Sequence, residues 1–599
     1  MTRGESIASA AVVFLIALTI RFYAASLVVF PKPEDTAYYV DVARNLLSGR
    51  GLVTDALWSF QTPPLVVPRE AFEVWLPLPT FLAAIPMALF GSTFAAAQVS
   101  SVVIGALVPV LAWRLAADVA LEQGLPPGRA RTLAIGTGLT AAVSLPLLLH
   151  STLPDSTMLF GALTLATTLL ITRIRARAVD SRPTSTSDVL GAGILGSEME
   201  LVGDSRPTGT SDGYPAASTP QPARVVARAR PMRIRAGATE RQRPLALLVA
   251  LGAVLGLAAI TRNEALWLAL VWAALAWRMP LPARDRLALI LVPAVVALAF
   301  FVPWMIRDWI AFGSPLPGQA LTNALSIQGT DIFAWSDRVS VGRYLAVGPA
   351  RLLEMRIVGI GHNLFDVLAV PGAPLSIIGL IALPWVVRVR ALQPLLIAST
   401  VIFLVTSLLF PVSTTWGTFL HAAGAIHVVL IVSALLALDQ LIAAIRVRRR
   451  WTRPVAWLAP TLTVSGALLF SLALLPAFGI GSVGTARMFT VLDRQMTAAG
   501  LPIADIGPVI SDAPIWLPYV GGGQGLALPF EAPSSVLDLA RRFSAHTVVQ
   551  VDPGHPFAGS IATDGPDAAC FEPVTLGTPA DPADAAAIAG TRVFRIVCP

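Results

Sequence analysis

Charge is scarce in this 599-residue sequence: Asp, Glu, Lys and Arg make up 13%, while 55% is hydrophobic and the mean hydropathy is +0.70. Soluble domains carry about 25% charged residues, so a string of ordinary soluble domains is excluded. Cysteine is scarcer, with only Cys570 and Cys598, which excludes a scaffold built on disulfides. No paired histidines stand at helical spacing, so a compact metal-ligand motif is missing. The apolar blocks show no internal repeat, the sign of a transporter made from two related halves. Net charge is +7 with a pI near 10.0. The arginines lie between apolar blocks and report membrane orientation, so no nucleic-acid partner is expected.

What is present is apolar sequence in blocks of about 17–25 residues, the length of a helix that crosses a bilayer. The first, Ile7 to Phe30, is too long for a signal-peptide core and has no small-residue cleavage site before Pro31-Lys32-Pro33, so it is expected to be a retained span. The pattern predicts about eleven spans, near 7–29, 94–117, 132–150, 157–173, 245–261, 264–278, 287–304, 369–387, 393–410, 420–441 and 455–478. Arginines cluster after the second (Arg114, Arg129, Arg131), sixth (Arg278, Arg284, Arg286), eighth (Arg388, Arg390) and tenth (Arg446, Arg448, Arg449, Arg450, Arg453). All fall on one side if the N-terminus is cytoplasmic; the C-terminus is then extracytoplasmic.

The reading is therefore an all-α polytopic membrane domain over 1–479, with a small extracytoplasmic α/β domain over 480–599. Residues 30–93 and 305–368 form external loops. Residues 174–243 form a cytoplasmic insert, rich in Arg, Pro, Ser, Thr and Gly, with the near-duplicate runs Asp180–Asp188 and Asp204–Asp212. Its composition predicts disorder. In the tail, Pro508 to Ser511, Thr547 to Val551 and Arg592 to Val597 read as strands, and Ser534 to Phe543 as an amphipathic helix. Cys570 and Cys598 flank strand-like runs and are expected to pair.

In the first external loop a helix opens at Pro33-Glu34-Asp35 and stops at Gly49 and Gly51. Tyr39, Val42, Ala43, Leu46 and Leu47 share one face, so the helix is expected to lie in the membrane interface. An acid at this position can be a helix cap; equally, Glu34 and Asp35 can face a reaction at the membrane surface. Arg21 lies in the outer half of the first span, either snorkelling or acting as an anion partner near Asp35.

Glu34 through Tyr38-Tyr39, Ala43-Arg44-Asn45-Leu46 and Gly49-Arg50-Gly51 resemble the first external loop of GT-C-fold glycosyltransferases, and more narrowly family 39, which includes protein O-mannosyltransferases and the aminoarabinose transferase of lipid A. Glu73-Val74-Trp75-Leu76-Pro77, Pro154-Asp155, Thr261-Arg262-Asn263-Glu264, Pro303-Trp304-Met305-Ile306-Arg307-Asp308, Phe312-Gly313-Ser314-Pro315 and Gly417-Thr418-Phe419-Leu420-His421 follow in matching order. The acidic pair runs Glu-Asp here, where the mannosyltransferases carry Asp-Glu, and the cytoplasmic insert is a departure.

The resemblance implies an inverting enzyme that moves a sugar from a polyprenyl-phosphate donor to an extracytoplasmic acceptor. That chemistry needs a carboxylate to take the acceptor's proton; Asp35 is the first choice and Glu34 the second. The departing phosphate needs cations, for which Arg262 and Arg307 stand at span ends, though both positions also suit interfacial anchoring. Asp155 can orient the acceptor or bind the sugar, or cap the next helix. His421 can hydrogen-bond phosphate or ligate a metal, or be a packed polar residue. Glu73 with His421 is a possible divalent-metal pair, although metal independence is the expectation. The rival reading is a transporter or flippase of lipid-linked sugars.

Overall fold

The computed structural model describes residues 3–180, 239–453, 455–563 and 565–598. Residues 181–238, with both near-duplicate runs and the expected disorder, lie outside the described residues but for the first residue of one run. Arg173–Leu247 forms a unit of its own, of which the last turns of one helix and the first turns of another are described.

The remaining chain is mainly helical. It opens with α1 (Arg3–Leu27), α2 (Glu34–Leu47), α3 (Leu78–Phe90), α4 (Phe94–Glu122), α5 (Pro127–Val143), α6 (Leu145–His150) and α7 (Ser156–Asp180). Among the described residues six helices are long and apolar enough to cross a membrane: Gly4–Leu27, Phe94–Glu122, Ser156–Ala178, Ala283–Phe312, Gly424–Arg448 and Leu458–Ala498. The other five expected spans correspond to shorter pieces. Leu245–Ala259, Ala265–Trp277, Leu375–Val386 and Gln393–Leu409 are single short helices. The stretch 132–150 is broken at Ser144 into α5 and α6.

Arg21 depends on that break. Breaking a helix orphans the carbonyls of its last turn. The Arg21 guanidinium donates to the carbonyls of Ala142 (3.1 Å) and Ala141 (3.4 Å) at the end of α5, and to Ser151 Oγ (3.0 Å). It is fully buried. Arg21 therefore neither snorkels nor partners Asp35; it completes the polar bonding of α5 inside the bundle. Gly105 makes the room, since a Cβ there would stand 2.2 Å from Ser151 Oγ and 3.2 Å from Arg21 Nε.

The C-terminal sheet takes the order β2-β5-β4-β6-β8-β7, with β4 Pro508–Ser511, β5 Gln524–Ala527, β6 Thr547–Gln550, β7 Phe571–Val574 and β8 Arg592–Ile596. Its edge strand β2 (Ala56–Leu57) comes from the first external loop and pairs parallel to β5. β1 (Val53–Thr54) and β3 (Arg69–Glu70) form a small ribbon in the same loop. Cys570 and Cys598 are disulfide-bonded, with Cα atoms 5.0 Å apart.

The expected boundary at 479/480 falls inside a continuous helix. The helix Leu458–Ala498 has 41 residues, roughly 60 Å at 1.5 Å per residue, about twice the hydrocarbon thickness. Its far end buries Phe489, Val491, Leu492 and Met496 with Phe30, Ile503 and Leu517 in the core of the small domain. The helix α2 is also more enclosed than expected. Tyr39 and Val42 pack on Trp58 and Phe72, and Val40 and Ala43 on Met87 and Phe94. Protein covers most of the face assigned to the membrane interface; Leu47, at its end, is exposed. The stretch 305–368, expected as an external loop, is largely helical: Ala283–Phe312 runs past the expected span end, and Gly348–Gly361 follows further on.

Leu57 is fully buried where the first loop joins the sheet. Leu57→Ala is expected to cost about 2–5 kcal/mol, read as a lower unfolding temperature and as new protease cleavage between residues 53 and 93.

Candidate active site

The turn that begins α2 places two carboxyls side by side. Pro33 is the N-cap and contributes no side-chain bond. Asp35 sits one residue inside the helix, where Oδ1 accepts the Thr36 N–H at 2.8 Å. Its Oδ2 is free to look elsewhere and lies 3.0 Å from His421 Nε2. The other ring nitrogen, Nδ1, is 2.7 Å from Thr157 Oγ1. Capping does not explain this carboxylate.

His421 stands in a short 3-10 turn, Leu420–Ala422, at the head of the helix Gly424–Arg448. Asp155 caps α7 by accepting the Thr157 N–H at 2.7 Å. Its second oxygen lies 3.8 Å from His421 Nδ1 and 3.9 Å from His150 Nδ1 without a direct hydrogen bond. Acids and imidazoles thus alternate from Asp35 through His421 and Asp155 to His150. Burial opposes a charge on His421, but the Asp35 and Asp155 carboxylates outweigh it and raise its pKa. Burial likewise pushes Asp155 up, yet His150, His421 and the Thr157 N–H hold it below the ordinary carboxylate value.

Glu34 turns toward the small domain. Its Oε1 accepts the backbone N–H groups of Ile515 (3.2 Å) and Trp516 (3.3 Å), just after β4. Those bonds favour the carboxylate, but burial dominates, and Asp512 and Asp35 add to it, so the pKa rises to about 8. Burial thus favours the protonated form of Glu34.

Arg262 also reaches this site. Its guanidinium grips Glu264 through Nε (3.1 Å) and Nη2 (2.8 Å), and donates to Ser156 Oγ (2.9 Å) and the Thr418 carbonyl (3.1 Å). The fork is fixed in place, with part of its charge balanced by Glu264.

A cavity of about 710 Å³ opens in front of these groups, lined by Glu34, Asp35, Tyr39, Arg262, Glu264 and His421 among others. Three expected site residues lie elsewhere, Arg21 within the bundle, and Arg307 and Glu73 beyond the wall. Arg307 does not line the cavity; it pairs with Glu70 (2.5 Å) and donates to the Ala71 carbonyl (2.6 Å), which fastens the first loop to the helix Ala283–Phe312. Glu73 is buried behind the wall, 3.7 Å from Arg69, and does not share a site with His421. Among the described residues no group of three or more His, Cys, Asp and Glu is arranged to hold a metal. Asp155 is buried beside His421, one shell behind the cavity wall.

Sequence reasoning missed Glu264, Thr157 and His150 as members of this cluster. Glu264 carried a signal, being two residues from Arg262. Thr157 and His150 carried none, because only folding brings them to His421.

No protein-family model matches the chain, and no curated protein matches it. Solved structures do. The oligosaccharyltransferase of Archaeoglobus fulgidus, tethered to an acceptor peptide, is 14% identical at a TM-score of 0.52, over 96% of this chain and 74% of that one. Its apo form is 13% identical at 0.51, over 97% and 75%. The apo aminoarabinose transferase ArnT of Cupriavidus metallidurans is 12% identical at 0.50, over 98% and 97%. At these identities the likeness shows the fold: this is a multi-pass membrane protein of GT-C architecture.

The raised pKa of Glu34 has a definite sign. Its folded value, about 8, exceeds the ordinary 4.5, so its protonation favours the fold. The contribution is complete below about 4.5 and is lost as pH rises toward about 8. Glu34→Gln keeps an acceptor for Ile515 and Trp516 but cannot ionise. Between pH 5 and pH 9 its unfolding temperature in detergent should fall less than that of the parent; parallel curves would contradict the assignment.

Proposed function

We propose that the protein is an inverting glycosyltransferase that moves a sugar from a polyprenyl phosphate to an acceptor on the outer side of the cytoplasmic membrane. The observation that carries this is the Asp35–His421 contact of 3.0 Å at the wall of the cavity. A carboxylate on a conjugate imidazole can take a proton, and the cavity restricts water around it.

In the proposed step Asp35 removes the proton from the acceptor hydroxyl as its oxygen attacks the anomeric carbon. The bond from that carbon to the phosphate oxygen breaks, and the phosphate leaves with the electron pair. A single displacement inverts the anomeric centre. Arg262, held by Glu264, Ser156 and the Thr418 carbonyl, lines the cavity and in this reading meets the departing phosphate. Glu34 is engaged by the Ile515 and Trp516 N–H groups and burial favours its protonated form, which leaves the role to Asp35.

The proposed orientation rests on which ends gather. Arg131 lies 3.7 Å from Glu5 near the N-terminus, and Arg129 pairs with Asp439 near the end of Gly424–Arg448. Glu122 accepts the Arg390 and Ala391 N–H groups. The N-terminus and three of the four arginine-rich loops thus share one end of the bundle, read as cytoplasmic. Residues 480–599 with the first loop form the extracytoplasmic side. Shorter and kinked helices complete about eleven crossings of roughly 30 Å. A transporter of lipid-linked sugars lacks such support, since the solved structures this chain resembles include one named an oligosaccharyltransferase.

Asp35→Asn is expected to lower transfer by about 10²–10⁴-fold with little change in stability, because Asn preserves the shape of the carboxylate. Glu34→Gln should retain transfer within about tenfold of the parent at pH 7, since it mimics the protonated carboxyl that burial favours. Transfer of radiolabelled sugar from polyprenyl phosphate by the purified proteins measures both. Full activity in both variants would end the proposal.

A further inference from the structure

We infer that the group receiving the sugar is an uncharged hydroxyl of a carbohydrate rather than a phosphorylated acceptor. This rests on the transfer reaction proposed above and names its acceptor class.

The charges around the cavity carry the inference. Among its described wall residues the cationic groups are Arg262 and His421, and the acidic ones are Glu34, Asp35 and Glu264. Arg262 is already matched by Glu264, and His421 by Asp35. Other arginines of the two external loops are held away from the cavity: Arg44 by Tyr519, Arg50 by Asp55, Arg69 behind Glu73, Arg307 by Glu70 and Arg343 by Asp331. The donor phosphate alone needs what cation the wall can give. A second anion on the acceptor would have to approach Asp35 itself, because that carboxylate must reach the attacking oxygen. Like charges in such an enclosure repel strongly.

The rest of the wall suits a neutral sugar. Trp58 and Trp75 pack with their rings tilted and their centroids 4.7 Å apart, and both line the cavity. Trp416 meets Phe333 edge-on at 5.8 Å. The Trp416 indole rests on the Gly329 backbone, where a Cβ would come within 1.9 Å of Nε1. The amides of Asn263, Asn323 and Gln328 also belong to the wall. Aromatic faces receive the C–H surface of a sugar ring, while amides can both donate to and accept from its hydroxyls. A peptide acceptor would gain most from a free strand edge, but β2, the strand nearest Trp58 in sequence, is buried.

The test uses the full-length protein in nanodiscs. Polyprenyl phosphates carrying mannose, glucose or arabinose are screened first for acceptor-dependent release of polyprenyl phosphate, with a pool of neutral oligosaccharides, a Ser/Thr-rich peptide and a phosphorylated oligosaccharide. With the donor that is consumed, each acceptor is then assayed alone. Transfer to the neutral oligosaccharide should exceed that to its phosphorylated form at least tenfold, and exceed that to the peptide. Equal or preferred transfer to the phosphorylated form or to the peptide would overturn the acceptor class. Failure of every donor with every acceptor would instead count against the transfer reaction itself.

Discussion

The site depends on one short contact, Asp35 Oδ2 to His421 Nε2 at 3.0 Å. It joins the start of α2 to the turn before the helix Gly424–Arg448. Neither partner is placed by its own element alone. Asp35 is aimed because its other oxygen is occupied by the Thr36 N–H. The imidazole is aimed because Thr157 holds its far nitrogen. A charge pair in an enclosure is worth keeping only when the remaining polar atoms are also satisfied. Here Thr157 supplies that bond at 2.7 Å, while Asp155 adds charge without a direct hydrogen bond.

The small domain belongs to this arrangement and is no passive appendage. It receives β2 from the first loop, and its Ile515 and Trp516 N–H groups hold Glu34. Its Glu531 also accepts the Trp335 and Ser336 N–H groups of the second loop, at 2.8 and 2.9 Å. Both loops that wall the cavity are therefore anchored to the sheet and the segments beside it, and the long helix Leu458–Ala498 packs its far end into the same core. Rigid support is what keeps a reacting pair within the tolerance catalysis demands.

Features with a local signature were legible in the sequence. The long apolar helices, α2, the strands β4, β6, β7 and β8, and the disulfide follow from periodicity, turn residues and cysteine placement. What depended on distant partners was not legible. β2 is two residues long and exists only because β5 lies beside it. β5 itself follows directly on Gly521-Gly522-Gly523, which reads as loop. Arg21 looks like a snorkelling residue until the break at Ser144 exposes carbonyls to it. Arg307 resembles a phosphate ligand until Glu70, far away in the chain, is folded onto it.

If Asp35 and His421 act as one acid–base unit, their losses cannot multiply. The direct measurement is a double-mutant cycle on the transfer rate, with Asp35→Asn, His421→Gln and the combination, in protein shown to be folded. The expected result is that the double variant transfers sugar within about twofold of Asp35→Asn alone. A double variant whose loss equals the product of the two single losses would show that the residues act independently, and would contradict the central role given to their contact.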